Sequence, residues 1–98
     1  ATRMDIKSSP QFEIGDMVSV ANVNSLGHTR LPRYVRGKRG VVHEYHGAHV
    51  FPDQNALGNR IGEHLYSVYF TAAEIWGNVW EANFGVNVDL WEPYLEVI

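Results

Sequence analysis

Beyond Phe12 the chain reads as short runs of alternating apolar and polar residues, separated by clusters of Gly, Pro and Asn. Alternation with a period of two sends successive side chains to opposite faces, so each run predicts a strand with one face buried. The runs cover residues 17–23, 39–45, 49–51, 65–70 and 86–91, with a last one around 94–97. Val18 and Val20 face one way while Ser19 and Ala21 face the other. Leu65, Ser67 and Tyr69 oppose Tyr66, Val68 and Phe70, and Val86, Val88 and Leu90 oppose Asn87, Asp89 and Trp91. Many short strands between turn residues predict an all-β domain, a small barrel or sandwich. One helical turn is expected at residues 71–77, where Thr71 can accept from the Glu74 amide and Glu74 can reach back to the Thr71 amide. Gly77 can stop it in a positive-φ conformation. A turn this short does not stand alone, so Ile75 and Trp76 are expected to pack on the strands.

The organisation is that of one domain, as 98 residues sit near the lower limit for burying an independent core. Residues 1–11 lack periodicity and are mostly polar, and are expected to form a flexible lead or docking arm; residues 12–98 form the domain. No apolar run approaches the roughly 18 residues that span a bilayer, and the N-terminus lacks the apolar stretch of a signal peptide. No membrane association and a cytoplasmic location are therefore expected.

Charge changes the picture more than composition does. The net charge is only −3, but Arg30, Arg33, Arg36, Lys38 and Arg39 crowd into one short stretch, whereas from Glu74 onward there are acids and no bases. Such polarity points to an interaction surface. The basic stretch lies in a long connection without strand pattern, residues 24–38, and a connection of that length in a compact domain usually has a function. Within it Arg30, Arg33 and Arg36 are spaced three apart, Pro32 restricts the backbone, and Tyr34 can pack beneath. Arginine's planar fork suits two-point binding of carboxylate, phosphate or sulfur oxyacids; the bland alternative is a solvated cationic loop with weak surface ion pairs.

Other chemistries find less support. There is no cysteine, which removes disulfides, thiolate metal sites and a cysteine nucleophile. His43, His46 and His49 are spaced by three, which in a regular strand alternates faces, so no metal site is expected in this chain. No serine has the flanking glycines of a nucleophile elbow. Gly37-Lys38-Arg39-Gly40 lacks the Ser or Thr of a phosphate-binding loop.

Two resemblances follow. Residues 12–20 with residues 36–42 look like the opening of an SH3-like barrel, a pattern shared with the KOW modules of translation and transcription proteins. The sharper resemblance is carried by Gly27-His28-Thr29-Arg30-Leu31-Pro32-Arg33-Tyr34-Val35-Arg36-Gly37-Lys38, then by His46-Gly47, Phe51-Pro52-Asp53, Gly62-Glu63, residues 65–70, Glu74-Ile75-Trp76-Gly77 and residues 89–96. From about Phe12 to the end, the chain resembles the C-terminal half of the nitrile hydratase β subunit. The resemblance implies a small, partly open SH3-like barrel that is an obligate part of a nitrile-hydrating lyase and inactive alone. It implies partners: an α-type subunit whose Cys-rich loop holds cobalt(III), or else iron(III), and a second β-type chain carrying the N-terminal half. Two of the loop's cysteines are oxidised in that family, and β-subunit arginines hydrogen-bond their sulfur oxygens. The arginine of the Tyr-x-Arg-Gly block matches Arg36; the other belongs to the N-terminal half, which is absent here. His28, Arg30, Arg33 and Tyr34 would then line the interface or support Arg36. The missing half implies either an excised domain or a β subunit divided into two polypeptides, as in toyocamycin-type nitrile hydratases and thiocyanate hydrolases; a start at Ala1 after Met removal favours the separate subunit. Thiocyanate hydrolysis, a metallation chaperone and a KOW-like nucleic-acid module are the rivals. The last predicts a basic surface, at odds with a pI of about 5.9.

Overall fold

In the computed structural model, which describes residues 3–22, 31–52, 58, 60–77 and 84–98, the alternating runs pair into one antiparallel sheet. Its strands are β1 (Met17–Val20), β2 (Arg39–Val50), β3 (Gly62–Thr71), β4 (Gly85–Trp91) and β5 (Leu95–Val97), in the spatial order β4-β3-β2-β1-β5. The sheet is open, and the fold is the expected all-β, partly open barrel. The single described α-helix, α1 (Ala72–Trp76), follows β3, and 3-10 turns occupy Arg33–Val35 and Glu92–Tyr94.

The period-two pattern explains the core. Val18 and Val20 of β1, Val42 of β2, Tyr66, Val68 and Phe70 of β3, and Val88 and Leu90 of β4 are all buried in one cluster. Burying such side chains is the main favourable term in folding, at about 1.5–3 kcal/mol for each large one. Val35, in the turn before β2, and Tyr94, in the turn before β5, also enter this cluster.

Four local expectations are corrected. The runs 39–45 and 49–51 are one continuous strand through Val50. Pairing with β3 steps from Val42↔Val68 to Glu44↔Ser67 and from Tyr45↔Tyr66 to Gly47↔Leu65, which leaves His43 and His46 as extra residues. These are β-bulges, and Gly47 adopts the φ of +86° that the second one requires. The run expected at 17–23 ends as a strand at Val20, and Val23 lies outside the described residues. At α1, Thr71 Oγ1 accepts from the Glu74 amide at 3.1 Å and Gly77 (φ +78°) ends the helix, but the Glu74 carboxylate accepts from the Arg39 amide at 2.8 Å instead of closing on Thr71. Ile75 packs inward as expected. Trp76 stays 55% exposed, because a five-residue helix has a single inner face and Ala72 and Ile75 occupy it.

Residues 3–10 lie along β2 and β3. Arg3 pairs with His49, the Met4 amide donates to the Ala48 carbonyl at 2.8 Å, and Met4 and Ile6 come down on Gly62.

Candidate functional site

The described part of the arginine stretch, residues 31–38, is a stiff turn stitched to the end of β1. Pro32 sits at φ −64° and leads into the 3-10 turn Arg33–Val35. Leu31 and Val35 are buried and anchor it from below. The Gly37 amide donates to the Val20 carbonyl and the Val20 amide donates to the Lys38 carbonyl, both at 2.9 Å. Sequence reasoning gave Tyr34 the supporting role; it is 49% exposed instead, since Leu31 and Val35 fill the space beneath. Arg33 is also exposed. His28 and Arg30 lie outside the described residues.

Arg36 is held differently from Arg33. Its backbone amide donates to the Arg33 carbonyl at 3.2 Å, and its Nη2 donates to the Leu31 carbonyl at 3.0 Å. The guanidinium is thus fixed against its own turn. Its Nε is buried without a hydrogen-bond partner among the described residues. An unmet buried donor on a charged group costs more than an unmet neutral one, and native structures keep few of them. A fixed guanidinium with a donor to spare is suited to gripping an oxyanion supplied from outside.

The histidines fall into two further polar clusters that spacing alone did not reveal. The bulge throws His46 over Ser67, so that His46 Nε2 lies 2.8 Å from Ser67 Oγ, which donates to Asp89 Oδ1 at 2.6 Å. As that hydroxyl's proton points at Asp89, His46 Nε2 must be the donor to Ser67. Asp89 Oδ1 is 3.5 Å and Glu44 Oε2 4.0 Å from the same nitrogen. The serine bridges histidine and acid, whereas a nucleophilic triad needs the histidine in the middle. His49 Nε2 donates to the His46 carbonyl at 3.0 Å and its Nδ1 is buried without a partner among the described residues.

The second cluster binds the N-terminal segment. His64, 3% exposed, donates through Nε2 to the Ser8 carbonyl at 2.9 Å and accepts the Tyr45 hydroxyl at Nδ1 at 2.7 Å. The Tyr66 hydroxyl donates to Glu92 Oε2 at 2.6 Å and receives the Phe12 amide at 3.4 Å, while the Gln11 amide also reaches Glu92 Oε2 at 3.0 Å. Burial first, then the bond to the Glu92 carboxylate, pushes the Tyr66 phenol well above its ordinary range. Burial, with Glu92 adding to it and Arg3 opposing, raises Tyr45 as well. Among the described residues no group of three or more His, Cys, Asp or Glu could hold a metal ion. Nor is any described helix long and apolar enough to cross a membrane.

The profile of a family described as nitrile hydratase beta subunit, C-terminal, matches residues 1–97. The chain belongs to that family. It is 44% identical over 97 residues to the cobalt-containing nitrile hydratase subunit beta of Pseudonocardia thermophila, covering 96% of this chain and 41% of the relative. It is 48% identical over 86 residues to the low-molecular weight cobalt-containing nitrile hydratase subunit beta of Rhodococcus rhodochrous, covering 86% and 38%. The chain therefore spans about two fifths of the length of these family members. A solved structure, the recombinant apo-enzyme of thiocyanate hydrolase from Thiobacillus thioparus, superposes with a TM-score of 0.86 at 27% identity, over 92% of this chain and 78% of the matched one. Of the two resemblances in the sequence, the longer one named the family.

Proposed function

We propose that this chain is the small β-type component of a nitrile hydratase-type complex that hydrates a nitrile to an amide, and that it is inactive alone. The carrying observation is family membership over residues 1–97 together with a guanidinium at Arg36 that is fixed by Leu31 and has a buried donor left over. In this reading residues 12–98 are the barrel domain and residues 1–11 an arm. Arg36 donates charge-assisted hydrogen bonds to the oxygens of oxidised cysteines on an α-type partner, with His28, Arg30, Arg33 and Tyr34 at the same interface. The described residues do not form a metal site; the cobalt named for two relatives would sit in that partner, and the part of this chain is to hold the sulfur oxygens in place. A second β-type chain would supply the sequence that the longer relatives carry in addition. The complex would be a cytoplasmic hetero-oligomer.

Thiocyanate hydrolysis on the same scaffold is the second reading, favoured by the 0.86 TM-score and by this chain covering 78% of the matched chain. Affinity purification of the chain with its co-expressed partners, followed by assays on a nitrile and on thiocyanate, tests both. Amide formation from the nitrile supports the first reading and thiocyanate breakdown the second. Purification without a partner carrying a Cys-x-x-Cys-Ser-Cys loop, or with one but without either activity, overturns the proposal.

A further inference from the structure

The outer face of the sheet belongs neither to the core nor to the arginine turn, and cross-strand register sorts it into three rows. Met17, Val41, Tyr69 and Asn87 lie opposite one another on β1, β2, β3 and β4, and directly opposed residues of an antiparallel sheet share a face. Met17 and Val41 are exposed apolar side chains. To one side stands the acidic row Glu44, Ser67 and Asp89, with His46 laid over it. To the other side stand Ser19 and Arg39 on β1 and β2, and Thr71 and Gly85 on β3 and β4. A Cβ on Gly85 would collide with the Phe70 carbonyl and the Tyr69 ring, so the Tyr69 ring reclines over this glycine and broadens the apolar strip. Just before Gly85, Phe84 stacks on Trp76 with ring centroids 6.2 Å apart, and both rings are more than half exposed. An apolar strip with charged rims has the anatomy of a protein interface.

We propose that this face binds a second copy of the chain, sheet to sheet, around a two-fold axis running along the Met17–Val41–Tyr69 row. On β2 the side chains flanking the strip carry opposite charges, Arg39 on one side and Glu44 on the other, and that is what selects the occupant. A two-fold along the row exchanges its two sides: Met17, Val41 and Tyr69 meet their own copies, and Arg39 of each chain lies over Glu44 of the other, so one kind of contact is made twice. A two-fold along the strand direction would instead stack the acidic rows on each other. The face is thus complementary to itself in one orientation only, and no different chain has to supply the opposite charges. Sheets stack face to face about 10 Å apart, a spacing that side chains of this length can fill.

Sedimentation velocity of the full chain over a concentration series tests this. The expected result is a dimer whose dissociation constant rises by about tenfold or more with Arg39→Glu, through loss of two pairs and creation of two repulsions. The Arg39→Glu/Glu44→Arg double variant should regain dimerisation, because reversing both charges keeps the match. It is the Arg39 backbone amide that holds Glu74, and this bond remains in either variant. Val41→Lys, also at an exposed position, should abolish the dimer independently. A monomer at every concentration, a dimer indifferent to Arg39→Glu, or failure of the double variant to recover overturns the proposal.

Discussion

The arginine turn and the clasp around Tyr66 and Glu92 are both built from charged and polar side chains, the first on and beside the 3-10 turn Arg33–Val35 and the second joining β3 to the 3-10 turn Glu92–Tyr94, but they dispose of their polar atoms in opposite ways. At the clasp the polar groups are used within the chain: Glu92 Oε2 accepts from Tyr66 and Gln11, the Tyr66 hydroxyl receives Phe12, and His64 uses both ring nitrogens. At the turn the backbone is bonded to β1, but Arg33 is exposed and Arg36 Nε has no acceptor among the described residues. A region whose hydrogen bonds close internally contributes to stability; a buried charged donor left open among the described residues is what the proposed grip on a partner's oxyanion would use. Mutations should separate the two by what they change.

The largest effect on stability is expected at the clasp. Glu92→Ala removes the acceptor of a buried phenol and of the Gln11 amide, and leaving such groups unmet costs about 2–4 kcal/mol in all. Urea denaturation should show the lower midpoint, and exchange of the Gln11 amide should speed up. An unchanged midpoint would mean that the clasp is as dispensable as a surface ion pair.

Next in size, and of the other kind, is Arg36→Lys. Lysine keeps the charge but has a compact ammonium in place of the planar fork, so it cannot both hold the Leu31 carbonyl and present Nε to a second oxygen. Loss of a charge-assisted bond that acts in the transition state costs on the order of 1.5–3 kcal/mol, roughly ten to over a hundredfold in rate. The reconstituted complex should assemble and turn over at least tenfold more slowly, with the denaturation midpoint hardly moved, and Arg33→Lys should do much less. Wild-type turnover in the Arg36→Lys complex would make the turn a solvated cationic loop and erase the contrast with the clasp.

A smaller effect is expected at Ser67→Ala. Ser67 is buried and links His46 to Asp89, so its hydroxyl contributes about 1 kcal/mol, the net worth of an ordinary internal hydrogen bond. Thermal melting should register the loss, and turnover should not.

What the sequence disclosed follows from the kind of information each feature needs. Strand identity is local, so Val18, Val20, Val68, Phe70, Val88 and Leu90 could be assigned to a buried face from alternation alone. The single domain's composition and the Arg36 turn were equally visible, since the cations, Pro32 and the Tyr-x-Arg-Gly block are contiguous. Register is not local. Ser67 and Asp89 were placed on opposite faces from Val68 and Val88, but nothing in the spacing of His43, His46 and His49 shows that two bulges carry one strand through Gly47 and drop His46 onto Ser67. The clasp joins residues 11–12 to 66 and 92, and contacts of that separation leave no mark on the periodicity of any one segment.

The smallest expected effect probes the edge of the clasp by pH. Burial, reinforced by Glu92 and opposed by His64, raises the Glu63 carboxyl above its ordinary value. A raised folded-state value means that folding favours the protonated form. The stability Glu63 contributes is therefore fully present below its unfolded value, near pH 4, and is lost as pH rises through the raised folded value. Above that folded value the group is ionised in a setting that resists ionisation. Glutamine, which has no charge at any pH, should relieve this, so Glu63→Gln should melt higher than the wild type at pH 7, by a degree or two for a domain of this size. As pH falls toward the unfolded value the wild-type carboxyl takes up its proton and comes to resemble the amide, and the two melting curves should converge. A Glu63→Gln variant that melts lower at pH 7, or a gap that widens on acidification, would show that His64 outweighs burial at this position and that the carboxylate is a paired member of the clasp.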